Sequence, residues 1–404
     1  MMFLPHRRMY LAAFLLDFSV AVGLTAIPFF IFERLGGGPT MSGVIGALQM
    51  GIYALGCLCS ATLVTRSKNG MFLALVGVTT FILPYSLLPW VTSPLLCAVA
   101  TSLPFIGLAL AWPAMQSWLG AEPDPVQRAL HLTGFNTATA FGFTVSPLIT
   151  GPLYDLDYRL PFVLLFFTGM ITVWLLWSLP LEEPRDTTED GGEDDKVAST
   201  EPIISRGLLY ASWGAILTAN GLFAALRSVY PSRVDTLVAD GTLKLWGDYS
   251  PTWLASVGPA TAFSWLAFIL PLATVVTFAV LGRTNKWQGR FRWIVAGQLA
   301  AAIATALLGH AQSIAAMLVC FVVVGANYGL CFFTSLYYSL ADARHKHRRA
   351  AVNEGLLGAG GFIGGIGAGY AAGAVGLPLA FQWSPALVVV AITAQLLLLA
   401  SFRK

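Results

Sequence analysis

An all-α membrane protein of twelve spanning helices, folded as two pseudo-symmetric six-helix bundles, is the fold class this sequence predicts. Three observations carry that prediction. The 404 residues are 56% hydrophobic and only 11% charged, with a mean hydropathy of +0.72, whereas soluble domains carry about 25% charged residues. Twelve apolar stretches come close to the ~20 residues that a helix needs to cross hydrocarbon. A long acidic connection follows the sixth stretch and divides the chain in two.

The stretches lie near 9–32, 41–64, 71–90, 94–118, 129–153, 160–180, 207–229, 260–281, 293–310, 313–339, 350–374 and 380–400. The first follows His6, Arg7 and Arg8. It is too long for the apolar region of a signal peptide and lacks a small-residue cleavage site, so it is read as the first spanning helix. Backbone polar groups in lipid must pair internally, which leaves helices or a closed barrel. Runs this continuous lack the alternation of barrel strands. Lysine and arginine set the orientation. With the N-terminus inside, 18 of the 23 fall in inner segments, leaving Arg34, Arg159, Arg227, Arg233 and Lys244 at the outer side or helix ends. Both termini are therefore expected in the cytoplasm, and the expected location is a bacterial inner membrane.

Residues 1–180 form the first expected bundle and 207–404 the second. Between them, 181–206 holds nine acidic residues and few apolar ones, the composition of a solvated tether. The segment near 230–259 reads as a structural loop over the outer mouth. The five cysteines lie within apolar stretches and show neither zinc spacing nor a disulfide framework. No metal and no cofactor are expected. The five histidines have no catalytic spacing, and a P-loop is missing, so neither an enzyme nor a self-contained ATP-driven pump is indicated. No basic tract with interleaved aromatics points to nucleic acid. The expected partners are a small-molecule solute, protons and the bilayer, with the chain a monomer.

The halves resemble each other. Leu119 to Ala129 aligns without a gap on Leu340 to Ala350. At the same offset of 221 residues, Gly134 meets Gly355, Phe141 meets Phe362, Pro147 meets Ala368 and Gly151 meets Ala372. Two parallel six-helix repeats are an arrangement of secondary transporters, with the binding site near the midplane between them.

Three local patterns make the chain resemble the major facilitator superfamily. The loop after the second span, Ala61-Thr-Leu63-Val-Thr65-Arg66-Ser-Lys68-Asn-Gly70, is similar to the family's G-x-L-a-D-r-x-G-r-k, with Thr65 in place of the aspartate. The fifth span carries Gly142-Phe-Thr-Val-Ser146-Pro147-Leu-Ile-Thr150-Gly151, similar to the G-x-x-x-G-P-x-x-G-G of the family's antiporters. Leu16-Asp17-Phe18-Ser19 is similar to the L-D-x-T opening of drug and proton antiporters, and Ala26-Ile27-Pro28 follows two residues later than the family's A-L-P. The resemblance implies alternating access, a gating role for Arg66, and a central cavity surrounded by spans one, four, seven and ten.

Ionisable residues inside spans are functional candidates by default. Asp17 is the first candidate for proton coupling, with Glu354 and His131 in the opening turns of the eleventh and fifth spans. The cavity candidates are Trp112, Gln116, Asn136, Trp213, Asn220, Asn327 and Tyr328. Amides and rings suit a neutral or amphiphilic organic solute, and the lack of clustered intramembrane arginines argues against a strongly anionic one.

Residues 358–376, GAGGFIGGIGAGYAAGAVG, contain a match to a dinucleotide fingerprint. That fingerprint needs a preceding strand, and this run lies inside a span. Its rows at spacing four make smooth faces for close packing, so Gly361, Gly365 and Gly369, with Gly142, Pro147 and Gly151, are read as helix-packing positions where the halves meet. The function read from these features is a secondary active transporter of a small organic solute, proton-coupled and exporting. The alternatives are a uniporter or uptake permease for a sugar, nucleoside or peptide-like solute, and a transporter-like sensor without transport.

Overall fold

The computed structural model describes residues 5–66, 69–120, 124–179, 206–340 and 346–402. The acidic tether lies outside these apart from Arg206, and so does the Arg66 side chain. Twelve long helices are present among the described residues. They are α1 (Pro5–Arg34), α2 (Pro39–Arg66), α3 (Gly70–Ser86), α4 (Pro94–Gly120), α5 (Pro125–Leu156), α6 (Leu160–Trp177), α7 (Arg206–Ser228), α9 (Pro259–Leu281), α10 (Arg292–Leu308), α11 (Ile314–Leu340), α12 (Lys346–Val375) and α14 (Ser384–Ser401). Two short helices, α8 (Pro231–Ala239) and α13 (Leu377–Gln382), complete the set. Ten helical segments are long and apolar enough to cross a membrane, and α10 is a shorter apolar helix. Its 17 residues rise about 26 Å, close to the ~30 Å of hydrocarbon. Large apolar side chains such as Leu55, Phe167, Ile303 and Leu387 stand exposed on the outside, a surface made for lipid.

Two spans differ from the sequence reading. The run 380–400 is broken at Trp383, between α13 and α14. Pro385 follows the break and has no N–H with which to continue α13, and the Phe381 carbonyl accepts from Ser384 Oγ instead (2.7 Å). Gly376, at φ +81°, makes the turn from α12 into α13, a conformation that favours glycine. The second difference is the segment expected to be a structural loop near 230–259, which is ordered. Helix α8 buries Pro231, Val234 and Leu237, and Lys244 pairs in parallel with Ser313 just before α11.

Helix pairing shows the repeat directly. In the N-terminal half α1 packs on α5 and α6, α3 on α4 and α6, and α2 on α4. In the C-terminal half α7 packs on α12 and α14, α10 on α11 and α14, and α9 on α11. Mapping α1–α6 onto α7, α9–α12 and α14 converts one set of pairs into the other. Two seams join the halves, α2 with α12 and α5 with α9, and the same mapping exchanges them. The face of the bundle bearing both chain ends is called here the terminal face, and the opposite one the far face.

Glycine sets both seams. A Cβ on Gly365 would lie 2.9 Å from the Gly43 carbonyl oxygen and 3.1 Å from the Ala47 nitrogen of α2. A Cβ on Gly361 would lie 2.7 Å from Met50 Cγ, and one on Gly369 would lie 3.0 Å from Gly43 Cα. One face round, Cβ atoms on Gly360 and Gly364 would overlap the Leu217 and Gly221 carbonyls of α7. Helix α5 has the same two-sided character. A Cβ on Gly142 would overlap the Phe14 carbonyl of α1, and one on Gly151 would lie 2.5 Å from the Ala260 carbonyl of α9. These contacts correct the repeat register by one residue. Gly142 and Gly151 hold the places of Gly364 and Gly373, so Gly151 corresponds to Gly373, which abuts Thr40 of α2, and not to Ala372.

Gly367, by contrast, faces open space. Gly365→Leu is therefore expected to cost about 1–3 kcal/mol through overpacking, while Gly367→Leu leaves the fold intact. Thermal melting and size-exclusion profiles of the two purified variants check this; equal behaviour would show that the seam does not depend on glycine.

Candidate functional site

The far face is closed by contacts between the halves. Asp155, in the last turn of α5, accepts from the Ala260 and Thr261 backbone N–H groups at 3.2 and 2.7 Å. It thereby caps α9, whose own N-cap residue, Gly258, has no side chain to offer. A carboxylate at a helix N-terminus also meets the positive end of the helix dipole. Beside it, Phe29 of α1 packs edge-on to Phe263 of α9, ring centroids 5.9 Å apart. Toward the terminal face α4 and α11 make no extended contact with each other among the described residues.

Below the closed end lies a small cavity, about 50 Å³, between α1, α2 and α7. Leu24, Gly46, Gln49, Met50, Asn220 and Arg227 are on its wall. A smaller cavity between α1, α5, α7 and α9 shares Leu24, Phe223 and Arg227 with it. Arg227 thus sits where both cavities meet, its guanidinium carbon 5.0 Å from the Phe143 ring and 5.6 Å from that of Phe223. Tyr328 of α11 packs on Phe223 with the rings tilted and their centroids 4.4 Å apart. Counting residues put Arg227 at a helix end. The structure places its guanidinium against the Phe143 and Phe223 rings, on the wall of both cavities.

A series of contacts runs between the acids Asp17 and Glu354. Asp17, 6% exposed, is twelve residues past Pro5, about 18 Å along α1 by helical rise. Glu354 is eight residues into α12, two turns deeper than the opening turn expected. Asp17 lies close to the Trp112 side chain of α4, and its Oδ2 has no hydrogen-bond partner. The Trp112 ring meets Tyr53 of α2 edge-on at 5.7 Å, and the Tyr53 hydroxyl donates to Glu354 Oε2 at 3.3 Å. The chain Asp17–Trp112–Tyr53–Glu354 therefore runs through four helices and crosses the α2–α12 seam.

The other candidates divide. Asn220 lines the larger cavity and donates to the Leu357 carbonyl at 2.6 Å. Asn136 is exposed on the face of α5 shared with Phe143, Pro147 and Gly151, and Gln116 is exposed one turn beyond Trp112. Pro147 lines the smaller cavity. Trp213 and Asn327 pack inside the C-terminal half and do not line these cavities. Trp213 donates to Ser339 at 2.9 Å, and Asn327 abuts Gly297 of α10. His131 accepts or donates at 2.7 Å to Tyr10 and stacks on His6 at 3.7 Å, a cluster within the N-terminal half. Gln49, Tyr53, Phe143, Phe223 and Arg227 are the members that sequence reasoning missed. The signal for Arg227 was its position one residue inside the last turn of a span.

The sequence profile of the Major Facilitator Superfamily matches residues 9–238. The chain belongs to the Major Facilitator Superfamily. Solved structures agree on the fold of this superfamily member. A bacterial homolog to the human lysosomal transporter Spinster, in an inward-facing and unoccupied conformation, is 14% identical with a TM-score of 0.75, covering 98% of each chain. The nucleoside transporter NupG is 11% identical with a TM-score of 0.76, covering 98% of this chain and 99% of that one. A POT family transporter in complex with a thioalcohol conjugated peptide is 15% identical with a TM-score of 0.74, covering 99% and 96%. Among curated proteins no sequence matches. The superfamily member is an integral, multi-pass membrane protein with a transporter fold.

Asp155→Ala removes the cap on α9 and is expected to open the far face. Spin labels at the exposed positions Leu156 and Trp253, in a background without the five native cysteines, would then show a longer or broader distance distribution. Asp155→Asn, which keeps one acceptor, is expected to fall between. Unchanged distances in Asp155→Ala would mean that the cap does not hold the gate.

Proposed function

We propose that this protein carries a small organic solute across a bacterial inner membrane by alternating access, in exchange for protons. The supporting observation is the coincidence of a cavity at the meeting of the two halves with a chain of contacts that links two buried acids across one seam. Moving a proton on or off Glu354 changes the hydrogen bond it makes with Tyr53, a contact between the halves. Asp17, deep in α1 and beside Trp112, is the proposed coupling acid, and it takes its effect to the seam through Trp112 and Tyr53. A conformational equilibrium moves only by the difference in free energy that a ligand or proton makes between the two states. Groups that straddle the seam supply such a difference.

The lysine and arginine distribution supports cytoplasmic termini, which makes the terminal face the cytoplasmic one and the far face the outer. Exchange is favoured over uniport by the Gly142 to Gly151 pattern, whose two end glycines occupy close-approach positions on opposite sides of α5. The two bundles, with boundaries at 180 and 207, are proposed as the bodies that move.

A thermal-shift screen of the purified protein against metabolite and drug libraries identifies solutes, since a ligand of the native state raises its apparent stability. In proteoliposomes with an internal pH dye, such a solute is expected to drive proton flux that Asp17→Asn abolishes and Tyr53→Phe slows. Solute movement indifferent to pH and membrane potential would instead indicate a uniporter. Binding without movement would indicate a sensor.

A further inference from the structure

Arg227 has no part in the proton path above, yet it lies between two cavities at the meeting of the halves. A guanidinium carries five N–H donors and is always charged. Phe143 and Phe223 offer it ring faces, which attract a cation but supply no oxygen. Among the described residues Arg227 forms no ion pair and no hydrogen bond. An uncompensated cation inside the bundle is costly, and an anion is what compensates it.

A second, independent observation points the same way. Gln49, from the other half, is 2% exposed and lines the same cavity, and its Nε2 has no hydrogen-bond partner. The other donors there are engaged. Ser42 Oγ donates to the Ser228 carbonyl, Ser228 Oγ to the Ala224 carbonyl at 2.7 Å, and Asn220 Nδ2 to the Leu357 carbonyl at 2.6 Å. The free donors facing the cavity are thus a guanidinium and an amide, contributed by opposite halves. The rest of the wall is largely apolar, with Leu24, Ile27, Met50 and Phe223.

We propose that this cavity binds an organic monocarboxylate. Its carboxylate pairs with Arg227 and accepts from Gln49, and its apolar or aromatic body lies against Phe223 and Met50. A single cation suits a single negative charge. A phosphate monoester carries roughly 1.5–2 charges at neutral pH, and no second cation lines the cavity to balance it. The α2–α12 and α5–α9 seams separate the site from lipid, so the carboxylate comes from a solute and not from a headgroup. Because the donors belong to different halves, the bound anion bridges them. This inference names the substrate class and rests on the transporter reading above.

The test uses the full-length protein in nanodiscs. Its probes are a panel of aromatic monocarboxylates that includes 3-phenylpropionate, the matching neutral amides, and inorganic phosphate. Carboxylates are expected to raise the melting temperature, while amides and phosphate leave it unchanged. Arg227→Gln is expected to weaken carboxylate binding at least about tenfold. Gln49→Leu is expected to weaken it severalfold, and that variant carries the test if Arg227→Gln does not fold. The proposal is overturned if no carboxylate in the panel stabilises the protein, if amides or phosphate do so equally, or if both variants bind as the parent does. Failure of the transporter reading looks different. A carboxylate that binds through Arg227 but drives no flux in proteoliposomes removes transport and leaves the site. A neutral solute transported equally well by Arg227→Gln removes the site and leaves transport.

Discussion

Helix α12 meets two neighbours along lines built of glycine, and the backbone-to-backbone contact this permits governs the rest of the structure. Gly360 and Gly364 lie against α7, the partner in its own half. Gly361, Gly365 and Gly369 lie against α2, the partner in the other half. Lipid tails are as apolar as leucine, so burial of apolar surface gives little drive for helix association in a bilayer. Dispersion at close range and helix shape decide instead. The glycine rows provide both. Along these rows backbone meets backbone, and few side chains cross the α2–α12 seam, Tyr53 with Glu354 and Phe362 against Gly51 among them. Helix α5 repeats the plan with Gly142 and Gly151, one contact for each half.

Close seams confine polar chemistry to the space between them. Asp17, Glu354 and Arg227 have their contacts near the meeting of the halves, and none is neutralised by an ion pair among the described residues. Asp17 lies beside Trp112, Glu354 accepts from Tyr53, and Arg227 faces two rings. Such partners are weaker than opposite charges and therefore easier to exchange. In a low-dielectric interior the exchange of one partner for another is a large perturbation, and here it takes place where the two bundles touch.

Much of this was legible from the sequence. Spans longer than a bilayer is thick, a duplicated pattern of helices and a glycine run inside an apolar stretch have no soluble interpretation. Asp17 and Asn220 stand out in the sequence because a polar group deep in a span needs a reason, whereas Glu354 reads as part of an opening turn and lies two turns deeper. Arg227 was missed for the complementary reason. At the end of a span an arginine ordinarily reaches water, and only the structure shows this one against the Phe143 and Phe223 rings on the wall of two cavities. Gln49 carries no charge and gave no alarm. The one-residue error in the repeat register came from aligning loops without gaps, since connections drift while the contacts that set helix faces do not. Trp213 and Asn327 are polar groups of the right kind on the expected helices, but each faces a neighbour within its own half, and helical phase alone does not distinguish that from facing a cavity.

The cap that Asp155 places on α9 has a thermodynamic consequence. A helix N-cap is worth about 1 kcal/mol, or a factor of roughly five in an equilibrium. Because the capping group and the capped helix belong to different halves, α9 has this finished end only while the far face is shut. The contact biases the empty protein toward one arrangement by about that factor and no more. A solute needs to prefer the other arrangement by less than one order of magnitude to offset it, so the far gate works as a light spring whose tension resides in the end of a single helix.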